Sequence, residues 1–190
     1  MEGSTSMHRV PPLVKVPLKY AVVAAVLAIG AIMVLFYTHR HPLLIPIIYD
    51  YRILLFGVFI FFSLKELKEV YNQGILHFWQ GLLAGIIFYI GLGLIVGVFI
   101  LIFGNIHEPF LLEYIEGTIR GLELNKEQLT SENVITITEE EFERQITLMR
   151  STRPYQMALD YFIKSCVIGF FLTILLAVIM RKTDRWSSRS

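Results

Sequence analysis

Charged side chains are rare in the apolar parts of this sequence, so those found there are the first candidates for chemistry. Asp50 and Arg52 lie just ahead of the apolar run Ile53–Leu64, and Asp160 and Lys164 lie at the start of another, ending at Met180. An ion at membrane depth is costly unless it pairs, reaches water or lines a cavity, and such residues often mark ion, proton or substrate sites. Asp160 and Lys164 stand one helical turn apart and can pair locally. Arg52 with Asp160, or Asp50 with Lys164, are cross-pairings open to two helices ending on the same side. The plainer alternative is that these side chains snorkel to the interface and serve only themselves.

A second set is His39, His41, His107 and Glu108. Imidazole and carboxylate suit zinc, but the four show no recognised ligand spacing, so they are weak candidates and no metal is assigned. The acidic run Glu139–Glu143 resembles a cation site only superficially, because carboxylates are expected in the first turn of a helix. The sequence contains no nucleophile elbow, phosphate-binding glycine loop or HExxH. No catalytic residue and no cofactor is therefore assigned, and the chain is read as not being an enzyme.

The elements that must position these residues are legible from hydropathy. Of the 190 residues, 55% are hydrophobic, against roughly 45–50% in ordinary soluble domains. Tyr20–Tyr37 and Gly81–Phe103 carry no charge and, at about 1.5 Å per residue, are long enough to cross a core of about 30 Å. Ile163–Met180 is interrupted only by Lys164. Ile53–Leu64 is too short alone and must recruit Pro46–Arg52, which brings Asp50 and Arg52 into one leaflet. The reading is an all-α membrane protein: four transmembrane helices, with an amphipathic helical insertion between helices three and four. It has a cytoplasmic segment 1–19, a single membrane domain 20–180 whose extracytoplasmic loop covers about 105–159, and a cytoplasmic tail 181–190.

The first helix reads as a retained anchor, since its apolar run exceeds a usual signal core and "FYTHRHP" offers no small-residue cleavage site. Orientation follows the basic residues. Arg9, Lys15, Lys19, Lys65, Lys68, Arg181, Lys182, Arg185 and Arg189 fall on one side, read as the cytoplasm. Both termini then lie there. The net charge of +1 argues against nucleic acid, and the single Cys166 excludes an internal disulfide.

Finer signals place turns and packing. Pro17 suits the first turn of helix one, and Gly74 a turn closing helix two. Gly81 with Gly85, Gly93 with Gly97, and Ser165 with Gly169 stand at small-xxx-small spacing, which favours close helix packing within the chain. Tyr37, Tyr49, Tyr51, Tyr155 and Tyr161 are expected in an outer interfacial belt, and Trp79 and Trp186 at the inner interface. In the loop, Thr138 and Glu141 form a capping box, and Phe142, Ile146 and Met149 one apolar stripe. Leu111, Ile115, Ile119 and Leu122 make a partner stripe, and "SENVITI" between them is the least determined stretch.

Four segments together resemble a known family: "LKYAVVAAVLAIGAI", "YNQGILHFWQGLLAG", "EPFLLEYIEGTIRGLEL" and "RPYQMALDYFIKSCVIGFFLTILLAVIMRK". They are similar to bacterial, Bacteroidota-type four-helix integral membrane proteins grouped as domain of unknown function 4199. The likeness is architectural and covers nearly the whole chain after about residue 15. It implies the inner membrane and no established biochemistry. The expected role is an accessory or interaction module, with a small oligomeric channel or transporter as the alternative. Its expected partners are the lipid bilayer and either another membrane protein or a second copy of itself.

Overall fold

Pro11 and Pro12 start the first helix. The Pro11 carbonyl accepts from the amides of Val14 and Lys15 at 2.9 and 3.0 Å, and Pro12, which lacks an amide hydrogen, loses nothing at the first helical position. The helix therefore begins five residues earlier than Pro17 suggests, and Pro17 is buried inside it. A computed structural model describes residues 10–45, 49–124, 126 and 138–182. Pro46, the "SENVITI" stretch and Trp186 lie outside these residues, as do Arg9, Arg185 and Arg189.

The described chain is helical: α1 Pro12–Tyr37, α2 Tyr51–Glu66, α3 Phe78–Ile106, α4 Glu108–Leu124, α5 Glu139–Arg150 and α6 Pro154–Met180, with a short 3-10 turn at Pro42–Leu44. Among the described residues no strand forms. An isolated antiparallel bridge joins Leu76 and Lys182. By contact the chain divides into two compact units, one within Met1–Val26, Tyr51–Gly93 and Ser165–Ser190, the other within Leu27–Asp50 and Leu94–Lys164.

In the first unit, helices approach at small residues. Ala21, Ala24 and Ala25 of α1 are fully buried, and a side chain at Gly91 of α3 would lie 3.3 Å from Leu18 and 3.5 Å from Ala21. Gly81 and Gly85 of α3 face Ala177 and Thr173 of α6, and Gly169 of α6 faces Tyr89 of α3. Each step of four along α3 is answered by a step of four back along α6, the register of an antiparallel pair. The small-residue spacing is thus used within the chain. On α2, Phe56, Ile60, Leu64 and Leu67 are at most 1% exposed and form one stripe. Beyond Glu66 the helix widens into a π turn over Leu67–Tyr71. The chain then reverses through Gln73 and Gly74, whose φ values are 51° and 85°. That left-handed pair is the glycine turn expected from the sequence.

The described helix α2 starts at Tyr51, and Pro46, near which the sequence reading begins it, lies outside the described residues. At 16 residues, or about 24 Å, α2 alone falls short of a span. Among the described residues α1, α3 and α6 are the three helices long and apolar enough to cross a membrane.

In the second unit, α4 and α5 fold on each other. Phe142 and Ile146 of α5 are buried with Ile119 of α4, flanked by Ile115, Leu122 and Met149. Thr138 and Glu141 make the reciprocal capping box that fixes where α5 begins. Lys126 bonds Glu139 at 2.5 Å and lies 5.0 Å over the Phe142 ring. Tyr161 is fully buried and so is not part of an exposed belt; Tyr37, Tyr49 and Tyr155 are exposed.

Two outcomes follow for stability in detergent. Ile146→Asp buries an unpaired carboxylate and should cost about 3 kcal/mol or more. Thr147→Asp, on the exposed side, should cost under about 0.5 kcal/mol; equal melting temperatures would mean the stripe is not packed. Gly169→Ala sets a methyl 2.5 Å from the Cβ of Tyr89 and should cost about 1–3 kcal/mol. Gly30→Ala meets open space and should be neutral or stabilising by up to about 1 kcal/mol. Circular-dichroism melts that rank the two glycine variants the other way would refute the close approach.

Candidate functional site: a polar and aromatic cluster in the second unit

The histidines take up separate structural posts. His39 follows α1 with φ of 59°; its amide bonds the Phe36 carbonyl at 3.0 Å, and that of Arg40 bonds the Leu35 carbonyl at 3.0 Å. This is the paired C-terminal closure in which glycine is the usual residue. His107 sits between α3 and α4 with its ring 5.1 Å from Phe103 and 6.1 Å from Phe36. Glu108 is exposed in the first turn of α4, where the helix dipole favours a carboxylate. Among the described residues no three His, Cys, Asp or Glu side chains gather as metal ligands.

His41 is the exception in environment. It is 9% exposed, with its ring 4.7 Å from Phe110 and 5.6 Å from Tyr114. Nε2 lies 3.0 Å from the Phe110 carbonyl. A carbonyl only accepts, so Nε2 carries the proton, and Nδ1 is a buried lone pair with no hydrogen-bond partner among the described residues. Burial pushes the imidazole down from 6.5 to about 4, and the bond to Phe110 only partly opposes it. His41 is neutral at physiological pH.

From this ring the cluster continues through a residue that sequence reading missed. The Tyr114 hydroxyl donates to Asp160 Oδ2 at 3.4 Å, and Lys164 Nζ donates to the same oxygen at 2.7 Å. Burial, then the charge of Asp160 and its hydrogen bond, raise the Tyr114 hydroxyl to about 12. It stays protonated and keeps its donor hydrogen for Asp160. The local pairing of Asp160 with Lys164 is realised. With side chains 32% and 41% exposed, this pair is worth little more than a surface ion pair, about 0.2–1 kcal/mol. Asp50 and Arg52 are buried, at 6% and 4% exposure, and both are engaged within the protein. Tyr114 carried no signal in the sequence beyond its place four residues after Phe110 on one helix face.

The first unit has its own polar contact, also unforeseen. Lys19 of α1 bonds both carboxylate oxygens of Glu66 on α2, at 2.8 and 2.5 Å, and the Tyr20 hydroxyl adds a third bond at 2.8 Å. Lys68 donates to the Met180 carbonyl at the end of α6 at 3.0 Å, where a helix terminus welcomes a cation.

Chemically, the second-unit cluster can hold hydrogen bonds and a neutral imidazole in place. It brings together no nucleophile with a base. The architecture defines an all-helical protein in which three helices are long and apolar enough to cross a membrane. The chain belongs to the family described as "Protein of unknown function (DUF4199)", whose model matches residues 18–182. No curated protein and no solved structure matches it.

His41 makes the second unit sensitive to acid, and the sign is fixed by its depressed value. The full contribution is present above pH 6.5, the unfolded value, and is lost as pH falls through about 4. The loss should reach on the order of 3 kcal/mol. His41→Gln should flatten the stability profile across this window relative to wild type. Parallel profiles would show that the imidazole is not buried as a neutral donor.

Proposed function

We propose that this chain is a four-span protein of a bacterial inner membrane, with both termini in the cytoplasm, acting without catalysis as an accessory or interaction module. Support for α2 as the fourth span comes from its outward face, where Ile53, Leu54, Val58, Phe61 and Phe62 are all exposed. From Tyr51 through the π turn to Tyr71 it would reach about 30 Å.

The observation that carries the module reading is the surface of α4. This amphipathic helix buries Phe110 and Ile119 and packs Ile115 and Leu122 beside them, leaving Leu112 and Leu124 exposed, while Glu113, Glu116, Arg120 and Glu123 are exposed along one stripe. With Glu139, Glu140 and Arg144 of α5 also exposed, the insertion offers a folded, charged face suited to docking a partner protein. A pore is less well supported. The outward stripe of α3 at Ile90, Leu94, Val98 and Ile102 is apolar and at least 37% exposed, which suits lipid or a second copy better than a water-filled path.

Two measurements test this. In a Cys166→Ala background, Glu140→Cys should react with an impermeant thiol reagent in intact spheroplasts and Glu69→Cys should not. The reverse pattern would place the insertion in the cytoplasm. Affinity purification in mild detergent should retain a protein at fixed stoichiometry, and Glu140→Lys with Arg144→Glu should release it. Ion flux in proteoliposomes with no retained protein would favour the channel instead.

A further inference from the structure

One groove in the first unit has the polarity of a membrane lipid. It has a volume of about 880 Å³ and is lined by Val10, by Pro12, Lys15, Leu18, Lys19 and Val22 of α1, and by Tyr71. Lys15, Leu18, Lys19 and Val22 stand at i, i+3, i+4 and i+7, so they share one face of the helix. The order along that face is charge first, then apolar surface. Lys15 is exposed, and beyond it Leu18, Val22 and Val26 are 43%, 47% and 65% exposed. From Lys15 to Val26 this track runs about 16 Å along the helix axis.

The charges within the groove are not equivalent. Lys19 is committed to Glu66, which offsets it, and the same bonds hold it in place at the groove wall. Lys15 therefore supplies the net positive charge. The Tyr71 side chain, 43% exposed, brings a phenolic ring and hydroxyl to the same groove, a combination suited to the headgroup level of a bilayer. A free anion would gain nothing from the apolar track, and a zwitterionic lipid, whose phosphate is offset by its own cationic group, would gain less from Lys15 than an anionic one.

We propose that this groove binds one anionic phospholipid of the surrounding bilayer, its phosphate at Lys15 and Tyr71 and an acyl chain along Leu18, Val22 and Val26. The assignment rests on the reading that α1 lies in a membrane. It goes beyond that reading in naming a site, a headgroup charge and the residues that select it.

The test uses the purified full chain in a neutral detergent, titrated with phosphatidylglycerol or phosphatidylcholine of identical acyl chains and followed by native mass spectrometry. Wild type should retain phosphatidylglycerol about five-fold more strongly, the contribution of one lysine near an anionic headgroup. Lys15→Gln should bring the ratio close to one, while Lys65→Gln, an exposed lysine at the end of α2 outside the groove, should leave it unchanged. Val22→Trp, which fills the apolar track, should weaken both lipids with the melting temperature preserved. Equal retention of the two lipids by wild type, a preference surviving Lys15→Gln, or an equal loss in Lys65→Gln would overturn the site alone. A chain that is soluble without detergent and retains neither lipid would overturn both the site and the membrane reading.

Discussion

Where Gly169 of α6 meets Tyr89 of α3, a methyl group would lie 2.5 Å from the tyrosine Cβ, far inside van der Waals contact. One turn further along the pair, a Cβ at Gly85 would overlap the Thr173 side chain, and one at Gly81 would stand 3.0 Å from that of Ala177. The relief is backbone separation, because Cβ atoms cannot rotate away. In an apolar solvent, helices whose outward residues are Leu, Val, Ile and Phe would gain little from hydrophobic exclusion, and close packing would have to hold them together. In the second unit the same two helices meet at Gly104, where a side chain would lie 2.9 Å from Met157. Within each unit, glycine on α3 sets how near α6 can come.

Such close contacts leave little room for ions, and Lys19 and Lys164, on two of the long helices, are paired in different ways. Lys19 crosses to Glu66, whereas Lys164 reaches back one turn to Asp160. Neither arrangement resembles an activated acid or base. In each, a lysine is matched by a carboxylate within hydrogen-bond reach, which lowers the cost of keeping it on an otherwise apolar helix. Side-chain pairing of this kind explains ionic residues in these helices without requiring a catalytic role.

What could be read from the sequence was whatever repeats along a single helix. The capping box at Thr138 and Glu141, the stripe through Phe142 and Ile146, and the turn at Gly74 each depend on spacings of a few residues, and each is present. Pro17 misled because proline at a helix start looks the same whether it is the first residue or the sixth; only the Pro11 carbonyl, bonded to Val14 and Lys15, separates the two. Tyr161 looked interfacial because tyrosine often is, yet its side chain is fully buried. Contacts between elements were invisible. Lys19 and Glu66 are 47 positions apart, and Tyr114 and Asp160 are 46 apart. No periodicity encodes such a pairing.

Helix α4 shows how the local and the distant signals combine. Phe110, Tyr114 and Gly117 fall at i, i+4 and i+7, and each meets a different part of the second unit. The Phe110 carbonyl takes the His41 proton, the Tyr114 hydroxyl reaches Asp160 on α6, and Gly117 leaves space for Leu44, whose methyl would overlap any Cβ there. A second face, Ile115, Ile119 and Leu122, packs on α5. With two faces committed, a one-residue slip of α4 would misplace the carbonyl, the hydroxyl and the glycine together. The helix is therefore locked in register, and its remaining stripe of Glu113, Glu116, Arg120 and Glu123 is presented at fixed spacing. A flexible tether would hold no such spacing, whereas two helices packed on each other and on their neighbours do.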